Sequence, residues 1–188
     1  MHDYTKDDAL SIRHAIQTGD LALAIQLHRV ISPTVQMAHM HETDERDLRE
    51  FLETPLPIFS FCSDEELREL RLCMATSICL HIRPENALLT ETSLTWRHPM
   101  SHKAAAQNFF KTVAIHRTVS AWLKHGLVRT AKILNSADSP YRECEAAARE
   151  YAIQELPQLP LHGCENLNTV GCRCSVVASK INGLSQSW

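Results

Sequence analysis

Residues 144–174 read CEAAAREYAIQELPQLPLHGCENLNTVGCRC, and the build of the C-terminal third turns on them. Four of the seven cysteines fall here, at Cys144, Cys164, Cys172 and Cys174, with His162 two residues before Cys164. In an extended chain residues i and i+2 project to the same face, so the Cys172 and Cys174 thiolates can meet one ion. Zinc takes four ligands in a tetrahedron with sulfur at about 2.3 Å. Cys144 and Cys164 complete a four-cysteine set, and His162 can stand in for one of them. Gly163 and Gly171 immediately precede two of these cysteines, where glycine lets the backbone turn tightly around an ion. The spacing is not that of a common zinc motif: there is no C-x-x-C pair, and Cys144 stands twenty residues before Cys164. Buried free thiols or a redox pair are the competing readings, although Cys172 and Cys174 are too close on one face to bridge each other without strain.

Outward from this stretch the chain has the character of a small α+β module. Leu127 to Leu134 alternates loosely and predicts a strand, Asn135 to Pro140 is turn chemistry, and residues 143–153 predict a short helix. Pro157 and Pro160 forbid its continuation, because proline lacks a main-chain donor. Arg173 to Ser179, with the β-branched pair Val176 and Val177, predicts a second strand.

Before Gly126 the signals are helical. Residues 7–31 predict a helical hairpin with Asp7 or Asp8 as cap and Thr18-Gly19-Asp20 as its turn. A third helix is expected from about Thr43 to Glu53, with Leu48, Phe51 and Leu52 inward. Ser63, followed by Asp64, Glu65 and Glu66, opens a fourth with a capping box; Cys73 and Cys79 lie in its apolar second half as core thiols. The longest helix is expected from Ser101 to His125, with Ala104, Ala105, Phe109, Val113, Ile115, Val119, Trp122 and Leu123 as its core face and Gly126 as its terminal glycine. The expected fold is therefore mainly α: a helical bundle over residues 1–126 and a cysteine-rich, zinc-binding α+β module over residues 127–188.

Composition sets the limits. The chain has 188 residues, a net charge of −3, 44% hydrophobic and 22% charged residues, which is the balance of a globular protein. No stretch reaches the roughly 18 apolar residues of a membrane span. The polar start MHDYTKDD does not resemble a secretory signal. A cytoplasmic protein is expected, and an odd cysteine count then favours reduced thiols or metal ligation over a disulfide framework. There is no P-loop, dinucleotide fingerprint or nucleophile elbow.

The order of these features resembles the C-terminal segment of phage head-morphogenesis proteins of the Mu F type and related prophage proteins. Cys144, His162, Cys164, Gly171, Cys172, Arg173 and Cys174 carry the likeness, which covers about a quarter of the chain. Ala147 stands where that family has the second cysteine of a C-x-x-C. The resemblance implies a shared metal module, without implying a shared function. The leading expectation is a non-enzymatic, zinc-stabilised interaction or assembly protein, phage- or mobile-element encoded, with a protein partner. Two alternatives stand beside it. One is a metal-dependent hydrolase or nuclease using the stretch from His39 to Asp47, which holds His39, His41, Glu42, Asp44 and Glu45. The other is a nucleic-acid binder through the basic residues Lys103, Lys111, Arg117, Lys124, Arg129 and Lys132.

Overall fold

The computed structural model describes residues 5–31, 44–80, 98–135, 142–161 and 164–181. The chain is mainly helical, with one small antiparallel sheet near its C-terminus. It divides into two compact units, Met1–Arg97 and His98–Trp188.

The first unit contains α1 (Lys6–Gln17), α2 (Leu21–Ile31), α3 (Glu45–Glu53) and α4 (Asp64–Cys79). Local chemistry sets each start. Thr5, not Asp7 or Asp8, is the N-cap of α1, and Asp8 answers it in a reciprocal capping box. Gly19 takes a positive φ of 81° in the tight turn to α2, and the Asp20 side chain accepts from the Leu23 N–H at 2.9 Å. Asp44 and Asp47 form the same box on α3, and Ser63 and Glu66 on α4. Ile12, Ile16, Ala24, Leu48, Phe51, Phe59, Leu70 and Met74 form the core. Arg71 donates to the carbonyls of Phe51 (3.0 Å) and Thr54 (2.7 Å), which satisfies the C-terminal end of α3. Arg13 of α1 pairs with Glu69 of α4 and donates to the Cys73 sulfur at 3.3 Å.

The second unit contains α5 (His102–His125), β1 (Val128–Leu134), α6 (Arg142–Ala147), β2 (Glu150–Ala152) and β3 (Ser175–Ile181). Short 3-10 turns lie at Ile153–Glu155 and Glu165–Asn168. Ser101 caps α5, and Gly126 ends it in the left-handed region at φ 59°. The sheet order is β2-β1-β3, antiparallel throughout, with Ala131 opposite Tyr151 on one side and Ala178 on the other.

The compact units meet between residues 97 and 98, so α5 falls in the same unit as the loop that carries the cysteines. Two expectations are corrected. The helix expected over 143–153 ends at Ala147, and its second half becomes β2, since Glu150 to Ala152 find partners on β1. Second, α5 buries Ala104, Ala105, Phe109 and Val113 as expected, but beyond Val113 it buries nothing: Ile115, Val119 and Trp122 are half-buried and Leu123 is 47% exposed.

Candidate metal centre

The four cysteines of the opening stretch arrive from separate places. Cys144 lies in α6, Cys164 stands immediately before the Glu165–Asn168 turn, and Cys172 and Cys174 lie on the extended segment that leads into β3. All four are buried, with 1–5% of their surface exposed. The Cys164 thiol interacts with Cys144, and the Cys174 thiol with both Cys172 and Cys144. Cys164 also feels the negative charge of Cys172.

The main chain is turned toward these sulfurs. The N–H of Asn166 donates to Cys164, and those of Cys174 and Leu161 donate to Cys172. In two of these three bonds the donor is the residue two positions after the cysteine. Donors of this kind stabilise a thiolate over a thiol. The Cys172 thiol is accordingly drawn down to about 6, first by the hydrogen bond from Cys174, then by main-chain donors and the positive charge of Lys111, against the opposing effect of burial. Cys164 is pushed up to about 12 by burial and then by the charge of Cys172. Cys174 is pushed up because its thiol donates to Cys172 and is buried.

Helix α5 is the platform for this arrangement. Asn108 is fully buried; its Nδ2 donates to the Leu167 carbonyl at 2.8 Å and its Oδ1 accepts from the Cys172 N–H at 2.8 Å. One side chain therefore holds both limbs of the loop that runs from Cys164 to Cys174. Ser101 ties the same loop at a second point, with its N–H on the Asn168 carbonyl (2.8 Å) and its hydroxyl on the Thr169 carbonyl (2.9 Å). Lys111 donates to the Cys174 carbonyl at 2.6 Å. Gly171, at φ 85°, lies so close to α5 that an added Cβ would stand 2.8 Å from the Gln107 Cβ. Only glycine tolerates both that φ and that approach.

The donor set is chemically suited to a soft or borderline cation: four buried sulfurs, three main-chain N–H groups aimed at them, and one adjacent ammonium. The cysteine-rich segment thus contains groups that can hold a metal ion. His162 and Gly163 lie outside the described residues.

The other candidates are placed differently. His39, His41 and Glu42 lie outside the described residues. Of the rest of that stretch, Asp44 and Asp47 are committed to the capping box of α3, and Glu45 faces Arg49 at 3.9 Å. In the basic run, Lys111 is turned onto Cys174, Arg117 is half-buried, and Lys103, Lys124, Arg129 and Lys132 are exposed. Cys73 and Cys79 are buried in α4 as core residues, and burial pushes Cys79 up to about 12. Among the described residues no helix is long and apolar enough to cross a membrane.

The sequence reading passed over Asn108 and took Lys111 only as part of the basic run. A signal was present for Asn108. The positions 104, 105, 108, 109, 112 and 113 form the inward stripe of α5, and an asparagine in such a stripe must find partners for its amide. Nothing in the sequence set Lys111 apart from the other basic residues.

No protein-family model, curated protein or solved structure matches this chain.

Proposed function

We propose that Cys144, Cys164, Cys172 and Cys174 bind one zinc ion as a closed, structural centre, and that the chain is a non-enzymatic interaction or assembly protein whose C-terminal unit that centre folds. The observation that carries the reading is that four buried cysteines, drawn from segments up to thirty residues apart in sequence, interact pairwise through their thiols. Four protein thiolates leave no coordination position for water or substrate, which is the property that separates structural from catalytic zinc. When bound, the ion would supply a cross-link between residues distant in sequence. His162 remains a substitute ligand for one cysteine.

The test is elemental analysis of full-length protein purified without chelator or affinity-tag metal. About one zinc per chain is expected. Serine substitution at Cys144, Cys172 or Cys174 should each lower the metal content, whereas Cys73→Ser and Cys79→Ser should leave it unchanged. Metal-free wild type, or zinc that survives the double change Cys172→Ser, Cys174→Ser, would overturn the reading.

A further inference from the structure

We infer that Lys111 is the charge-compensating positioning residue of this thiolate centre, set by α5 so that its ammonium faces the Cys172–Cys174 limb from outside the ligand shell. The inference rests on the zinc reading above and adds to it a residue that contributes no ligand atom.

Three observations converge. The Lys111 Nζ donates to the Cys174 carbonyl at 2.6 Å, so the long side chain is anchored to the main chain of a ligand residue. Asn108 lies three residues earlier, one helical turn back on the same side of α5, and fixes the Cys172 N–H at 2.8 Å. The two side chains together set where the 172–174 limb lies relative to the helix, so the position of the ammonium follows from the packing. Lys111 is half-buried, while Lys103, Lys124, Arg129 and Lys132 of the same basic run are exposed.

The electrostatic need is plain. A divalent ion with four thiolates carries a net charge of −2, and buried charge is costly unless it is compensated. One adjacent ammonium lowers the net charge of the group to −1. It also withdraws electron density from the sulfurs, which makes metal-bound thiolates less nucleophilic and protects the site from electrophiles.

The experiment uses the full chain with three substitutions: Lys111→Met removes the charge, Lys111→Gln removes the charge but keeps a donor for the Cys174 carbonyl, and Lys111→Arg keeps the charge. Zinc affinity is measured by competition with a chromophoric chelator. Each cobalt-loaded form is examined for its sulfur-to-metal charge-transfer band, and each zinc-loaded form for its rate of alkylation by iodoacetamide. Lys111→Met and Lys111→Gln should weaken zinc binding about tenfold to a hundredfold, move the charge-transfer band to lower energy and speed alkylation. Lys111→Arg should restore the wild-type behaviour in all three. If the neutral variants match wild type in affinity and band position, the inference fails and the zinc reading stands. If the arginine variant loses as much as the neutral ones, with the band unmoved, Lys111 serves only as packing and the inference again fails. Wild type that binds no zinc removes both.

Discussion

Replacing Asn108 tests whether α5 holds the cysteine loop. The side chain is wholly buried and makes two 2.8 Å bonds to main-chain groups fifty-nine and sixty-four residues away, the Leu167 carbonyl and the Cys172 N–H. Asn108→Ala removes both partners at once. A buried main-chain group left without its partner costs about 1–3 kcal/mol, so two such groups give about 2–6 kcal/mol. At about 1.4 kcal/mol per factor of ten, that opens the loop roughly 30-fold to ten-thousand-fold more often. The assay is native-state hydrogen exchange read peptide by peptide. Exchange across residues 164–174 should accelerate by that factor, while α1, in the other unit, stays at its wild-type rate. The near-isosteric Asn108→Asp separates the two bonds, because it keeps the acceptor for Cys172 but sets a carboxylate oxygen against the Leu167 carbonyl. Its effect should concentrate on residues 164–168. Unchanged exchange over 164–174 in the alanine variant, or acceleration spread evenly over both units, would refute the reasoning.

Two further outcomes follow from the same geometry. Gly171→Ala meets both a positive φ of 85° and a contact of 2.8 Å to the Gln107 Cβ, whereas Gly126→Ala meets only a φ of 59° with open space around it. The first should lower the midpoint of thermal unfolding of the C-terminal unit severely and reduce its metal content; the second should cost about 1 kcal/mol and leave metal content intact. A fragment of residues 98–188 should fold and bind metal, but one of residues 127–188 should do neither, since Ser101, Asn108 and Lys111 all lie on the deleted segment. Equal metal binding by the two fragments, measured by elemental analysis, would show that the cysteine loop needs no help from α5.

What the sequence disclosed was mostly local. The turn at Thr18-Gly19-Asp20, the capping box of Ser63 and Glu66 and the terminal Gly126 each act through neighbours within a few residues, and each was legible. The strand β2 was not, because Cys144 to Ala148 is locally a helix and only pairing with β1, some twenty residues away, turns Glu150 to Ala152 into a strand. The boundary at Gly126 was drawn from a real change in character, from helix to strand. Packing, however, ignores that change: the Asn108 amide and the Ser101 hydroxyl join α5 to the loop around Cys164 and Cys172. For the site, the four cysteines could be listed from spacing, but the N–H groups of Asn166, Cys174 and Leu161 that face their sulfurs depend on the path of the loop.

That path explains why a cross-link is useful in this unit. The sheet is small, β2 is three residues long, and no residue of β3 is buried. The second half of α5 buries nothing either, so apolar burial lies in the first three turns of that helix, at Val128, Ala131 and Ile133 of β1, and at Ile153, Leu159 and Leu167. Among its described residues the segment between β2 and β3 has two short 3-10 turns of regular structure, and it is tied to α5 by hydrogen bonds from Asn108 and Ser101. Closing a loop of about thirty residues removes chain entropy from the unfolded state equivalent to roughly 3–4 kcal/mol. One ion held by Cys144 at one end and by Cys172 and Cys174 at the other would contribute at that scale, comparable with the two hydrogen bonds of Asn108. The two devices would act on different parts of the same problem: α5 fixes the shape of the loop, and a bound ion would fix its ends. A centre used in this way needs buried sulfurs and no open position, which is why the burial of all four cysteines favours a folding role over a reactive one.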